Sequence, residues 1–363
     1  MMCDTGDPGG TLRIGGELEL SAGMLGAGLR HAPPTFGRPT EQWTNSGRSA
    51  LMLAARTFLQ RGATGRVWLP AYCCRSVVQP FLAAGCQVQF YPVGDGLVSE
   101  LPLGAAATGD ACLFIHYFGH RQPAGAAEEL RRRGVWIIED CVQAALTSGV
   151  GVSGDFAVAS YRKLLPQPDG ALFAADAAPE ADLGEPHEAF ISQRVWGKLL
   201  RASGAEPEAF LRLIESSEGI LDADPLPRRI SWLSVELMAR TDLTAIAAIR
   251  RENWKGLLSR LQPLISKGCL SPVFPRLCDG EVPLGMPVLV PASARDPLRR
   301  FLSEHEIFCP VHWPLDHVPD REDFAAAHAL SHAMLTLPID QRMSNAHLDR
   351  FVGTLQCFFG VNP

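Results

Sequence analysis

The sequence lacks the features of membrane, secreted and nucleic-acid-binding proteins. No window approaches about 18 uninterrupted apolar residues, so no transmembrane helix is expected. The start of the chain carries acidic side chains and glycines but no positively charged segment, so it does not resemble a secretory leader. Basic residues form no run longer than Arg131–Arg133 and the formal net charge is -6, which offers nucleic acid no basic surface.

The ten cysteines also lack the regular spacing of a disulfide framework or a metal site. Cys73 and Cys74 are adjacent, without the two-residue spacing of zinc and redox motifs, and are interpreted as packing residues. His328 and His332 could share a metal, but no acidic third ligand stands in an HExxH arrangement, which favours a solvated helix face. We therefore expect reduced thiols, no metal site and a cytoplasmic protein.

The composition is that of a folded globular protein. Apolar residues make up 47% of the 363 residues and charged residues 20%, and the length suggests two ordinary domains. Short apolar segments alternate with helical patterns between residues 44 and 175, which predicts an α/β fold whose mainly parallel sheet is sandwiched by helices. We expect an arm and a large domain over 1–240 and a small C-terminal α+β domain over 241–363. The arm, residues 1–40, is expected to lie on the large domain, and segment 176–230 has no clear pattern.

The predicted elements follow from apolar periodicity and from helix start and stop signals. The predicted strands are 67–70, 87–91, 111–118, 135–140, 155–160 and 287–291. The predicted helices are 48–61, 77–84, 123–134, 231–261, 296–304 and 344–358.

The stretch 135–173 holds the first pair of candidate site residues. Asp140 ends an apolar strand and Lys163 follows another, and α/β sheets bind ligands beyond such strand ends. Asp140 could pair with a cationic ring nitrogen or be a capped loop residue. Lys163 could be a carbonyl nucleophile with a lowered pKa in an apolar pocket, or a surface lysine. Gln143, one turn after Asp140, could donate to a ring oxygen.

Two glycine motifs have different interpretations. Residues 45–48, Asn-Ser-Gly-Arg, stand at a helix start where free N–H groups could hold an anion, although an ordinary helix cap is also typical of this pattern. Residues 149–154 match GxGxxG, but a loop precedes them and a strand follows, so they are interpreted as a tight turn and not as a dinucleotide site.

Taken together, these segments resemble the DegT/DnrJ/StrS-type sugar aminotransferases. The resemblance runs from about Thr44 to the C-terminus with gaps in 176–230, and is carried by NSGRSAL, LPAYCCRSV, FIHYFGH, IIEDCVQA, the lysine loop GDFAVASYRKLLPQPDGALF and the final LPIDQRMSNAHLDRFV. It implies fold type I of the pyridoxal-phosphate enzymes, a pyridoxal 5'-phosphate cofactor, an amino donor such as glutamate, a nucleotide-linked keto-sugar acceptor and a homodimer.

The resemblance also implies roles for individual residues. Lys163 would bind the cofactor covalently, Asp140 would face the ring nitrogen and Gln143 the ring oxygen. Gly47, Arg48 and Ser160 would hold the phosphate.

The chain departs from the family's pattern at three positions. Lys163 stands three residues after Ser160, where many members have five, and Cys74 stands where they have an aromatic residue, which leaves Tyr72 or Cys74 against the ring. Ser231 occupies the region of an asparagine that reaches the neighbouring subunit's phosphate. The departures at Cys74 and Ser231 motivate an alternative, a different pyridoxal-phosphate reaction such as elimination or cyclisation. Segment 176–230 motivates another, a non-catalytic relative.

Overall fold

The computed structural model describes residues 13–26, 28–179 and 182–361. The elements of the first half are β1 (Ile14–Gly15), β2 (Thr40–Thr44), α1 (Gly47–Gln60), β3 (Arg66–Pro70), α2 (Arg75–Ala83), β4 (Gln87–Tyr91), β5 (Ala111–Ile115), α3 (Gly125–Arg132), β6 (Trp136–Asp140), β7 (Phe156–Ser160) and β8 (Ala171–Ala175). Those of the second half are α4 (Glu188–Ala202), α5 (Pro207–Ala223), α6 (Trp232–Ala239), α7 (Leu243–Arg260), α8 (Gln262–Ser266), β9 (Ser271–Pro272), β10 (Met286–Leu289), α9 (Ala292–Glu304), β11 (Ile307–Phe308), α10 (Ala325–Ala333), β12 (Met334–Leu337) and α11 (Asn345–Phe359).

A seven-stranded sheet forms the centre of the large domain, in the order β2-β8-β7-β6-β5-β3-β4. Strands β7, β6, β5, β3 and β4 are parallel neighbours, and β8 is antiparallel to both β7 and β2. Strands β5, β7 and β8 are buried along their whole length, as expected for strands covered on both faces. The predicted mainly parallel α/β sheet is confirmed.

The C-terminal part has a second, smaller sheet with the order β12-β10-β9, antiparallel throughout. A second apolar core lies beside it and includes Trp254, Leu257 and Phe351. Leu243 and Ile246, at the start of α7, pack instead against a core of the large domain. The predicted boundary after residue 240 therefore falls just before a helix that contacts both cores, and the division into 1–240 and 241–363 stays a prediction.

The arm departs from its expected position. Instead of lying only on the large domain, β1 pairs in parallel with β11 of the C-terminal part, and Ile14 is buried in the second core. Further along, Arg38 donates to the carbonyl oxygens of Gly151 and Gly154 in the large domain. The arm therefore contacts both parts of the chain.

Two helical regions also differ from the prediction. The pattern over 231–261 forms two helices, because Asp242 interrupts it and caps α7 by accepting a hydrogen bond from Ala245 N at 3.0 Å. Segment 176–230, which the sequence left unplaced, contains α4 and α5 packed against each other. Of the helices in the described ranges, none has the combined length and apolar character needed to cross a membrane.

Candidate active site

The carboxyl ends of β2, β3, β6 and β7 lead into one pocket. The open space of this pocket, counted together with the solvent at its mouth, is about 520 Å³. The lining includes seven of the eight residues proposed from the sequence: Gly47, Arg48, Cys74, Asp140, Gln143, Ser160 and Lys163. Because the parallel strands end at the same edge of the sheet, residues more than one hundred positions apart in the chain meet here.

Tyr72 is the exception among the proposed residues. Its ring is fully buried beside Tyr117 and Trp313, with centroid distances of 6.1 and 5.5 Å, and it is not part of the pocket lining. The expectation that Tyr72 could lie against a ring in the pocket is therefore corrected, and Cys74 is the one of the two that lines it. The Cys74 sulfur accepts a hydrogen bond from the Ser76 hydroxyl at 3.0 Å.

Asp140 is held at the end of β6 by the backbone that follows it. Its Oδ1 accepts a hydrogen bond from Val142 N at 2.9 Å, and its side chain is buried. Burial raises the pKa of Asp140, while the Val142 N–H and the nearby Lys163 act in the opposite direction. A buried carboxylate next to an open pocket is suited to pairing with a cationic group of a ligand.

Gln143 presents an unsatisfied donor at the same wall. Its Oε1 accepts a hydrogen bond from Phe118 N at 2.8 Å, which fixes the orientation of the amide. Its Nε2 is buried and has no partner within the described part of the chain. Since buried polar groups are normally hydrogen-bonded, this nitrogen is suited to a ligand's oxygen.

Lys163 ends a short 3-10 turn that follows β7. Lys163 lines the pocket and is exposed to solvent there. Desolvation by the surrounding protein lowers the pKa of Lys163, opposed by Cys74 and Asp140. A lysine with a lowered pKa has a larger neutral fraction and is a better nucleophile toward a carbonyl carbon.

The phosphate candidates Gly47, Arg48 and Ser160 also line the pocket. Ser46 caps α1 by accepting a hydrogen bond from Ser49 N at 3.2 Å, so the cap interpretation holds while Gly47 and Arg48 also line the pocket. Ser160 lies at the start of the turn that carries Lys163, and its side chain makes no capping bond there. Ser160 also lines the pocket, and its hydroxyl can donate a hydrogen bond to an anion.

Two ionic residues at this wall were missed by sequence reasoning. Arg162 lines the pocket, and Glu218 on α5 pairs with Arg162 at 2.6 Å and with Arg48 at 3.1 Å. Arg162 adjoins Lys163, so its position in the sequence could have suggested it. Glu218 lies in the unplaced segment, and no sequence pattern indicates its partners.

Ser231 lies apart from this lining. Its hydroxyl donates to Asp169 Oδ1 at 2.6 Å, and it caps α6 by accepting a hydrogen bond from Ser234 N at 3.2 Å. The side chain is buried, so its hydrogen bonds are used within the chain.

The loop with the GxGxxG motif binds the protein's own carboxylate. The N–H groups of Gly151 and Gly154 donate to Glu139 at 2.8 and 2.7 Å, and Gly151 has a positive φ of 78° that this turn requires. His116 lies 3.0 Å from the same carboxylate. Although His116, Glu139 and Cys141 lie close together, Glu139 is occupied by these donors, so we propose no metal there.

Comparison with known proteins supports the fold. No family model and no curated protein matches the sequence. Among solved structures, a DegT DnrJ EryC1 StrS aminotransferase from Brucella abortus matches with a TM-score of 0.62 and 17% identity over 89% of this chain and 87% of that one. The chain has the fold of these aminotransferases.

Two further structures agree with this assignment. The sugar aminotransferase CalS13 from Micromonospora echinospora gives a TM-score of 0.64 and 17% identity over 88% of each chain. NtdA from Bacillus subtilis, solved with bound cofactor PMP, gives a TM-score of 0.64 and 15% identity over 89% of this chain and 74% of that one. The resemblance stated from the motifs is confirmed at the level of the fold.

Proposed function

We propose that this protein is a pyridoxal-phosphate-dependent aminotransferase that moves an amino group from an amino acid, with glutamate the expected donor, to a nucleotide-linked keto-sugar. The observation that carries this proposal is the pocket in which Lys163, Asp140 and the unpaired Gln143 amide meet. Pyridoxal phosphate has a group for each of them: a carbonyl, a ring nitrogen and a ring oxygen. The sugar aminotransferases of the same fold support the choice of substrate class.

Each residue has a task that follows from its chemistry. The cofactor, when bound, supplies a carbonyl that takes up the amino group and a ring that withdraws electrons. Nζ of Lys163 would hold the cofactor and would accept the proton that leaves the donor's Cα. The Asp140 carboxylate would pair with the ring nitrogen, and Gln143 Nε2 would donate to the ring oxygen.

The test is to add pyridoxal phosphate to the purified protein and follow its visible absorbance. We expect an absorbance that borohydride removes, that Lys163→Ala abolishes, and that glutamate shifts to the spectrum of the aminated cofactor. A protein that takes up no cofactor would refute the proposal. Screening amino donors in this half-reaction identifies the donor before the acceptor is known.

We further propose a homodimer. Trp196 on α4 and Trp232 on α6 are 59% and 73% exposed, and Leu211 on α5 is 50% exposed. Helices α4 and α5 pack against each other, and large exposed apolar side chains that lie together are typical of association surfaces. Light scattering should give twice the chain mass, and Trp232→Glu should shift the protein toward monomer.

A different reaction of the same cofactor is the second candidate. Cys74 lines the pocket beside Lys163, where the resembling family has an aromatic ring, and this favours elimination or cyclisation. The two candidates separate in one measurement, because only an aminotransferase exchanges an amino group between glutamate and the bound cofactor.

A further inference from the structure

Arg162 is the cationic side chain next to Lys163 in the pocket lining. Its two terminal nitrogens bind the two carboxylate oxygens of Glu218, at 2.6 and 3.3 Å. Its Nε is buried and has no partner within the described ranges. The guanidinium group is therefore fixed in place at the pocket wall while one of its donors stays unused.

Glu218 joins Arg162 to two other arginines. Its carboxylate lies 3.1 Å from Arg48 and 3.4 Å from Arg194, and Arg194 continues to Glu17 at 3.0 Å. These arginines hold the pKa of Glu218 well below its usual range, against the effect of burial, so the carboxylate stays charged.

The ion pairs join these residues into one network, which carries one more positive than negative charge. Its cations are Arg48, Arg162, Arg194 and Lys198, and its anions are Glu17, Glu218 and Asp222. Two of these cations, Arg48 and Arg162, line the pocket together with Gly47 at the N-terminus of α1 and Ser160. In the same pocket, the amide nitrogen of Gln143 has no partner in the described chain and offers a ligand a further hydrogen-bond donor.

We propose that Arg162, together with Arg48, binds the phosphate of the cofactor, and that Glu218 positions both guanidinium groups for it. This inference rests on the proposed function. The cationic side chains in the described lining are Arg48, Arg162 and Lys163, and Lys163 is needed for the covalent bond. A phosphate carries close to two negative charges, and arginine binds it with paired N–H donors.

The experiment compares the binding of pyridoxal phosphate with that of pyridoxal, which has no phosphate, to the protein freed of cofactor. Arg162→Gln should weaken the binding of pyridoxal phosphate about 10-fold to 100-fold, the range expected for lost hydrogen bonds to a charged group. The binding of pyridoxal should not change. Arg162→Lys, which keeps the charge without the fork of donors, should recover part of the loss. Arg212→Gln, on α5 and 77% exposed, is the matched control and should change neither ligand.

Arg48→Gln provides a second test that does not depend on whether Arg162→Gln folds. It should show the same selective loss of pyridoxal phosphate. Equal weakening of both ligands, or none, in the Arg48 and Arg162 variants would overturn the inference. So would a raised KM for the amino donor with phosphate-dependent binding unchanged, because the arginines would then serve the substrate carboxylate. A wild-type protein that binds neither ligand would instead refute the proposed function itself.

Discussion

The pocket has two walls that differ in how their polar groups are satisfied. The strand-end wall, Asp140 and Gln143, follows β6 out of the core and keeps a buried amide nitrogen without a partner in the described chain. The arginine wall, Arg48 and Arg162, is held by Glu218 from a peripheral helix.

This difference indicates two ways of preparing for a ligand. The strand-end wall is fixed by the sheet, so a ligand adds hydrogen bonds to groups that are already in place. The arginine wall is already ion-paired, so an incoming anion must share its cations with Glu218. Substitutions in the strand-end wall should change the reaction rate and the orientation of the ligand. Substitutions in the arginine wall, or in the residues that pair with it, should change anion binding and the stability of the fold.

The largest effect is expected from Asp140→Asn at the strand-end wall. An amide of the same shape cannot hold a proton on the ring nitrogen, so the rate of amino transfer should fall by about 100-fold to 1000-fold, as when one electrostatic stabiliser is removed. Single-turnover kinetics with glutamate measure the rate, and absorbance shows whether the cofactor stays bound. The exposed Asp323, 62% accessible, serves as control through Asp323→Asn. A rate within a factor of two of wild type would remove Asp140 from the mechanism.

The next effect is expected behind the arginine wall, at Glu17. Burial alone would raise the pKa of Glu17, but Lys198 and Arg194 outweigh it and hold the pKa at about 2. The unfolded chain, with a pKa near 4.5, binds the proton first as the pH falls, so this carboxylate stabilises the fold above pH 4.5 and the stabilisation is lost toward pH 2.

Glu17→Gln should therefore reduce the free energy of unfolding at pH 7 by roughly 2–3 kcal/mol and flatten its dependence on pH between about 4.5 and 2. Urea denaturation at several pH values measures both. The control Glu208→Gln changes a pair whose carboxylate is 85% exposed and should have little effect. If the free energy of unfolding of Glu17→Gln keeps the wild-type dependence on pH, the ion pairs of Glu17 with Arg194 and Lys198 do not stabilise the fold.

The smallest effect is expected from Gln143→Glu. The new side chain still accepts the hydrogen bond from Phe118 N, but it loses the amide donor that faces the pocket. Affinity for pyridoxal phosphate should fall about tenfold, the cost of one unsatisfied hydrogen bond, and the melting temperature should also fall because the new carboxylate stands at a buried position. A titration of cofactor absorbance measures the affinity. If affinity is unchanged, the free amide does not contact the cofactor, and the contrast between the two walls weakens.

Much of the large domain could be predicted because its signals are local. The strand at 87–91 has the predicted bounds, and Asp140 and Lys163 follow β6 and β7 as expected. The turn at 149–154 was also identified correctly, since a strand and not a helix follows it. That these residues meet in one pocket follows from the parallel order of the strands.

The errors arose where contacts between distant segments decide the structure. The arm was expected to lie on the large domain, and Arg38 contacts it there, but β1 also pairs with β11, almost three hundred residues away in the chain. Tyr72 was a candidate for the pocket, but the packing of Trp313 and Tyr117 around it buries its ring. Segment 176–230 could not be placed from the sequence and motivated the alternative of a non-catalytic relative. Its helix α5 provides Glu218, which pairs with Arg162 at the pocket wall.

The sequence by itself determined the α/β class, the strands β3 to β7 of the central sheet, and the candidate acid and lysine at the ends of β6 and β7, because apolar periodicity and strand ends are local properties. Only the tertiary structure decided which cations face the pocket, what holds them and which amide is left unpaired. Ion pairs such as Arg162 with Glu218 join residues far apart in the chain, and their geometry depends on how α5 packs. No periodicity or motif records that packing.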